Sequence, residues 1–370
     1  MKYEEDNNIY SSSGRDISSR SRTYEDISSR SERVQSEPRR EASSGGRTGG
    51  KKRKKHRLRN ALLVLICLLL VCGGGFYAYV YRMLDKIERD PLDQEDLGIT
   101  THDYDGYRNI ALLGLDSRTD STSGRSDAIV ILSIDKSHKK IRLISIARDT
   151  YVAIDGHGHD KLTHAYAYGK SQLAVKTLNQ NFGLEITDYV TMNFFELSRV
   201  IDYIGGVTIE ISAAEMKELN NVIIPQMNKL GITCEPIPNA GKQLLSGGQA
   251  VGYARIRHTD SDVQRGNRQK EVLVAMFDQV KKTSVLKLPY VAEMVASQCR
   301  TSLSTNDIIS LGTWAMQASP TFEQLSVPNE NIPSSGKIIN GRWYYVYDLE
   351  IARQNIRDFI YGNQPEQAAP

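Results

Sequence analysis

Between Tyr253 and Gln269 the chain reads YARIRHTDSDVQRGNRQ, which crowds Arg255, Arg257, Arg265 and Arg268 into one polar stretch just ahead of an apolar run. Arginine presents a planar fork of donors that matches phosphate or carboxylate oxygens in pairs. Four together suit a multiply charged anion; a solvated basic face with surface ion pairs is the competing reading of the cluster taken alone. Three further polar constellations interrupt apolar runs: GLDSR with Asp116 and Arg118, GRSDA with Arg125 and Asp127, and IARDT with Arg148 and Asp149. Two carboxylates close together beside phosphate oxygens make a hard oxygen site suited to Mg²⁺, with Mn²⁺ the other candidate. The chain has no GxxxxGK[ST], no GxGxxG after a strand and no GxSxG, which excludes Walker, Rossmann and serine-hydrolase sites. No Cys/His spacing suits zinc.

Such residues need a scaffold that brings them to one place. Arg108–Leu115, Ser126–Asp135 and Lys140–Ala147 are short apolar runs bounded by Gly, Ser and Asp, the pattern of buried strands. Asp116 and Asp149 then end strands, while Asp127 starts one. A strand antiparallel to both neighbours would carry all three to one edge, where ligands of α/β sheets gather. Apolar spacing predicts helices over His164–Phe182, FELSRVIDYIGG, Gln269–Lys282, LPYVAEMVA, TNDIISLGTWAMQ and LEIARQNIRDFI. TDYVTMNF, VTIEI and RWYYVYD read as strands, the last with Trp343, Tyr345 and Tyr347 on one face. The interleaving predicts an α/β class with a central, mostly buried mixed sheet flanked by helices.

The N-terminal part has a different composition. Residues 1–57 are rich in Ser, Arg and Glu and repeat DISSRS at 16–21 and 26–31, a composition expected to stay disordered. Low complexity explains the repeat; a pair of phosphorylatable serine sites is the alternative. KKRKKHRLR then precedes an uncharged apolar run, predicting one transmembrane helix over residues 58–81 with Tyr77, Tyr79 and Tyr81 at the interface. A cleaved signal peptide fits poorly, because the run is long and far from the N-terminus. Lysine and arginine stay inside, so the expected location is a single-pass cell-membrane protein with a cytoplasmic N-terminus and an extracytoplasmic C-terminal domain. The remainder divides into an acidic stalk (82–106), an α/β domain (107–362) and a flexible end (363–370). Residues 1–60 carry a net +7 against +3 for the whole chain, which leaves −4 for the rest. A basic cluster against that acidic background argues against nucleic acid as a partner. Cys234 and Cys299 lie in a compartment where a disulfide could form, a question left open by spacing.

From Arg108 to Lys282 the sequence resembles the LytR-CpsA-Psr proteins of bacterial cell envelopes. The resemblance rests on NIALLGLDSR, GRSDAIVILSID, IRLISIARDTYV, KLTHAYAYG, YVTMNFFELSRVIDYIGGV and LLSGGQAVGYARIRHTDSDVQRGNRQ. One departure is Ala147, where the family usually has proline. The resemblance implies a phosphotransferase of Gram-positive cell-wall biogenesis. It would move a teichoic-acid-like or capsule-like glycopolymer from a polyprenyl-pyrophosphate carrier to muramic acid of peptidoglycan, with membrane lipid as a further partner. It implies Asp116 and Asp127 as magnesium ligands and Arg125, Arg148, Lys161, Arg255, Arg257 and Gln269 as pyrophosphate ligands. Arg118, Arg265 and Arg268 would support them. Asp116, Asp127, Arg148 and Asp149 form the catalytic set, with the general base open between Asp127 and Asp149. A lipid slot would be lined by Phe194, Phe195, Val200, Ile204, Val272, Met276 and Phe277, each of which also reads as ordinary core. A polyprenyl-pyrophosphate hydrolase and a non-enzymatic envelope regulator or transcriptional attenuator are the alternatives.

Overall fold

The run containing NIALLGL forms β2 (Tyr107–Leu115), which lies inside a seven-stranded sheet with the order β1-β10-β7-β2-β3-β4-β11. Its partners are β3 (Ser126–Asp135), antiparallel, and β7 (Ile186–Asn193), parallel. Beyond β3 come β4 (Lys140–Ile146), antiparallel to it, and β11 (Thr321–Val327), parallel to β4. Beyond β7, β10 (Cys299–Thr301) and the short β1 (Glu88–Arg89) close the other edge. The sheet is mixed, and β2, β4, β7 and β11 all end at one edge. The computed structural model describes residues 66–67, 74–99, 106–116, 124–257, 262–283, 288–296 and 299–362. All lie in the second of the two units of the chain, Leu65–Pro370. The tail 1–57, most of the span 58–81, part of the stalk, Arg118 and the end 363–370 lie outside the described residues. Among the described residues a helical stretch, α1, covers 74–84, and no helix is long and apolar enough to cross a membrane.

Strand alternation decides which face each helix covers. Ala111, Leu113, Leu115, Ile129, Ile131, Ile144 and Ile146 meet α2 (Leu162–Phe182) and α10 (Leu349–Tyr361) in one sealed core. The opposite face carries Ile110, Leu112, Val130, Leu132 and Leu143 toward α7 (Asp262–Lys282) and α9 (Thr305–Ala318). This second face is covered less completely: Leu112, Leu132, Leu273, Trp314 and Phe322 remain half-buried. A third layer packs on the far side of α7. It comprises α3 (Phe194–Tyr203), a hairpin of β8 (Val207–Ile211) and β9 (Gly241–Leu245), and the small helices α4 (Ala213–Glu218), α5 (Ile224–Lys229) and α6 (Gly247–Tyr253). Gly247 permits this layer, because a Cβ there would stand 1.8 Å from the Ser198 carbonyl oxygen. Helix α8 (Leu288–Ala296) completes that side.

Several elements differ from expectation. Residues of the expected stalk are packed into the domain: Leu92 and Leu97 join the main core, and β1 extends the sheet. Their apolar side chains are spaced among Asp and Glu, so composition alone hid them. A hairpin of β5 (Tyr151–Ile154) and β6 (Gly158–Lys161) was unforeseen, as was β12 (Ser334–Ile339), which pairs with β13 (Arg342–Tyr347) in a separate ribbon. Trp343, Tyr345 and Tyr347 do share one face of β13, in ring contact along the strand. Cys234 and Cys299 are free and buried in different clusters, so no disulfide joins them.

Candidate active site

The register of β2 and β3 builds the first half of the site. Gly114 lies opposite Ala128 and Leu115 opposite Ser126, so Asp127 is the extra residue of a β-bulge. A bulge re-aims a side chain at a strand end. Asp116 follows β2 immediately, with its amide bonded to the Arg125 carbonyl at 3.2 Å. Strand β4, parallel to β2, ends beside them and hands on to Arg148 and Asp149. The antiparallel β3 therefore brings Asp116, Asp127 and Asp149 to one edge.

Cations reach this edge from separate elements. Arg148 donates to Asp127 at 2.5 Å and its Nε lies 3.4 Å from Asp149. The β5–β6 hairpin folds back through Leu162 N–H to Thr150 O and Thr163 N–H to Arg148 O. That return places Lys161 Nζ 2.8 Å from Asp149. After α6, Arg255 lies with its guanidinium 5.0 Å over the Phe194 ring and Nη1 3.7 Å from Asp116. Arg257 is exposed two residues on. The helix expected to start at Gln269 starts at Asp262 instead, so Arg265, expected in the polar loop, shares one face of the first turns of α7 with Gln269. That end of α7 lacks apolar periodicity because it faces the site, lining a narrow crevice with Asp127, Ser145 and Arg148.

Residues 75–358 match the LytR_cpsA_psr family. This chain belongs to that family. Among its relatives, the polyisoprenyl-teichoic acid–peptidoglycan teichoic acid transferase TagU of Oceanobacillus iheyensis is 32% identical over 290 residues, 76% of this chain and 83% of TagU. The solved structure of TagT bound to LIIa-WTA superposes with a TM-score of 0.58 at 26% identity, covering 73% of this chain and 99% of TagT. A structure of the same family with bound octaprenyl pyrophosphate lipid gives 0.54 at 25% identity, over 73% of this chain and 99% of that one.

Within this LytR-CpsA-Psr domain the other expected site residues separate. Arg268 is buried and turns toward α4, with Nε 2.8 Å from Glu215 and its guanidinium 5.8 Å over Tyr253. Burial works against the Glu215 charge, but Arg268 and the Ser212 amide outweigh it and hold the carboxyl below its usual value. Arg268 thus braces the third layer. Arg125 is exposed at the rim. The expected lipid lining divides: Phe194, Ile204 and Val272 belong to the third-layer core, with Phe195 and Met276 against it and Val200 buried. Phe277 instead meets Phe322 of β11 edge-on at 4.9 Å.

Two features escaped sequence reasoning. Lys270, in the polar first half of α7, is 1% exposed and donates to the Leu325 carbonyl at 2.6 Å and Ser326 Oγ at 2.7 Å. Burial pushes its ammonium down to about 8. It fastens α7 to β11 beside the crevice. The second is a cluster around Asp160, which accepts from Tyr168 at 2.6 Å and Tyr344 at 3.1 Å, with His164 Nδ1 2.9 Å away. Burial alone would raise the Asp160 carboxyl; Tyr168, His164 and the Lys161 amide outweigh it and hold the group well below the usual range. The i, i+4 spacing of Asp160, His164 and Tyr168 in DKLTHAYAY was the available signal. Beside this cluster a cleft of about 520 Å³ opens, with Arg148, Asp149 and Lys161 on its floor.

Proposed function

We propose that this chain is a membrane-anchored phosphotransferase that moves a glycopolymer from a polyprenyl-pyrophosphate carrier to a muramic-acid hydroxyl of peptidoglycan. The observation that carries the reading is the convergence of Arg148, Lys161, Arg255 and Arg265 on the edge that holds Asp116, Asp127 and Asp149. The family relatives named as teichoic acid transferases support it. So many cations on one strand edge suit a pyrophosphate, whose charge must be held still while its bridge breaks. The anchor is the apolar run 58–81, with the tail inside the cell and the α/β domain outside.

In the reaction the acceptor hydroxyl oxygen bonds to the phosphorus that carries the glycopolymer. The bridging P–O bond breaks, polyprenyl monophosphate leaves, and the hydroxyl proton passes to a carboxylate at this edge, Asp127 or Asp149. Arg148, Lys161, Arg255, Arg257 and Gln269 bind and orient the pyrophosphate, and Arg265 flanks them. The donor chemistry here fits Mg²⁺ or Mn²⁺ in one form only: among the described residues no group of three acidic, His or Cys side chains is placed to hold a metal ion. Asp116 and Asp127 would hold the ion, with phosphate oxygens and water as its other ligands. Such an ion would add neutralising charge at the pyrophosphate oxygens. The half-covered sheet face between α7 and α9 receives the polyprenyl chain, since Leu112, Leu132, Leu273, Trp314 and Phe322 offer it apolar surface.

The test is the full-length chain in lipid vesicles with Mg²⁺, a polyprenyl-pyrophosphate-linked glycopolymer and peptidoglycan. Polymer attached to peptidoglycan is expected. Free polyprenyl phosphate without attachment would identify a hydrolase, and bound lipid without turnover a regulator. Full activity in both Asp116→Ala and Arg257→Ala would sink the site.

A further inference from the structure

The walls of the 520 Å³ cleft carry none of the residues assigned above to the pyrophosphate. One wall, from α2, carries Thr163, His164 and Tyr168; the other, from β13, carries Arg342 and Trp343. Tyr168 and Trp343 are each 44% exposed, yet neither ring is loose. Tyr168 stacks on His157 at 4.4 Å and 12°, and Trp343 on Tyr345 at 5.7 Å and 28°. The Asp160 carboxylate ties the walls together, because Tyr168 from one side and Tyr344 from the other both donate to it. Fixed, solvent-facing rings on both sides of a polar cleft are costly to keep exposed unless a ligand with one apolar face covers them. A saccharide ring has such a face.

Two polar groups in the walls point the same way. Thr163 is 2% exposed, and its Oγ1 has no hydrogen-bond partner among the described residues. A buried hydroxyl without a partner is suited to a ligand oxygen. Arg342 keeps 64% of its side chain exposed and stands 3.9 Å from Asp160, beyond hydrogen-bond reach. With Arg125 exposed at the rim, it gives the cleft mouth a positive charge suited to a carboxylate. Lys161 links floor to wall: it lies 2.8 Å from Asp149 and 6.0 Å from the centre of the Trp343 ring.

The position of the cleft decides between acceptor and donor. It lies on the α2 side of the sheet, whereas the half-covered apolar face lies on the α7 and α9 side. In-line displacement puts the incoming oxygen opposite the leaving one. A lipid phosphate leaving toward α7 and α9 requires the nucleophile to arrive from the side of α2 and β13.

We propose that the cleft between Tyr168 and Trp343 is the acceptor subsite, taking a saccharide that bears a carboxylate. The subsite rests on the transferase reading above. Trp343 and Tyr168 receive the faces of the sugar, Arg342 takes its carboxylate, and Thr163 meets a ring substituent.

The experiment titrates full-length chain in nanodiscs, by calorimetry, with a disaccharide of N-acetylglucosamine and N-acetylmuramic acid, with the neutral disaccharide chitobiose, and with bare polyprenyl pyrophosphate. The acidic disaccharide is expected to bind about tenfold more tightly than the neutral one, the difference that a single charged hydrogen bond supplies. Arg342→Gln is expected to erase that difference. Trp343→Ala is expected to weaken both sugars at least about tenfold while Trp343→Phe retains them. Polyprenyl pyrophosphate affinity stays unchanged in all three variants. Wild-type sugar affinity in Arg342→Gln and Trp343→Ala overturns the proposal. So does a variant that weakens a sugar-bearing lipid donor but spares the disaccharide, since the cleft would then hold the donor's own sugar. Failure of the wild-type chain to bind polyprenyl pyrophosphate strikes at the transferase reading instead, and the sugar titrations remain readable.

Discussion

The guanidinium of Arg148, just past the end of β4, lies 2.5 Å from the carboxylate of Asp127, the bulged residue at the start of β3. Each side chain is only partly exposed, so their charges interact more strongly than a surface pair. On the proposed transferase reading, a pyrophosphate arriving at this edge would compete with Asp127 for Arg148, and the freed carboxylate would become able to take a proton or a cation. The two therefore act as a unit. Asp127→Asn and Arg148→Ala should each reduce transfer about 10²- to 10³-fold, the range for loss of one charge-stabilising group. The double variant should fall no further than the worse single one. Rates of polymer attachment in vesicles check this, and additive losses would refute it.

The bulge that aims Asp127 depends on Gly114. A Cβ at Gly114 would stand 2.9 Å from Ala128 Cβ, closer than real contacts allow. Gly114→Ala should cost about 1–3 kcal/mol of stability through overpacking and move Asp127 off its bearing, so activity falls as well. Removing the opposing methyl in Gly114→Ala/Ala128→Gly should recover most of both. Urea denaturation together with turnover measures the recovery; a double variant no better than the single one would show that the close approach is not what matters.

The sheet and its strand-end acids were legible because β2, β3 and β4 are mostly apolar runs bounded by polar residues and interrupted only at Ser133, Arg142 and Ser145. The antiparallel β3 needed to gather Asp116, Asp127 and Asp149 follows from the short turn between β3 and β4. What stayed hidden lacks periodicity. In β11 the adjacent polar residues Glu323 and Gln324 break the apolar pattern, with Glu323 accepting from Lys140 and Arg142 across the sheet, and β12 is exposed along nearly its whole length. Arg268 and Arg265 are three residues apart in one basic run, yet only their packing shows that one braces Glu215 and the other lines the crevice by Asp127. Charge type is written in the sequence, whereas the direction in which a helix turns each charge depends on what packs around it.

Lys270 gives the chain a pH-dependent stability. Its folded-state value of about 8 lies below the ordinary 10.5, with burial as the cause. Below pH 8 the lysine is protonated in both states, and the folded form bears the full penalty of burying the charge. Between pH 8 and 10.5 the unfolded chain holds a proton that the folded chain has released, so stability rises with pH. The gain is on the order of 3 kcal/mol across that window. Lys270→Met should flatten this segment of the profile while leaving the rest parallel to wild type. Urea unfolding at intervals between pH 7 and 10.5 provides the comparison, and identical slopes in the two proteins would exclude the effect.

Asp160 should behave in the opposite sense. Its carboxyl is held below the ordinary 3.8 despite burial, by Tyr168, His164 and the Lys161 amide. A depressed carboxylate contributes stability that is fully present above its unfolded value and is lost as pH falls toward the folded one. Asp160→Asn keeps the shape but removes the charge that Tyr168 and Tyr344 share across the cleft. At pH 7 the variant should be less stable by about 1–3 kcal/mol, the range for a buried charged hydrogen bond. The gap should narrow as the pH drops below 3.8, where wild type loses the same contribution. Because both cleft walls hang on this carboxylate, sugar binding should weaken more than polyprenyl-pyrophosphate binding. Denaturation at pH 7 and pH 3 with the two titrations at pH 7 separates these effects, and a variant that loses both ligands equally would place Asp160 in the general scaffold instead of the cleft.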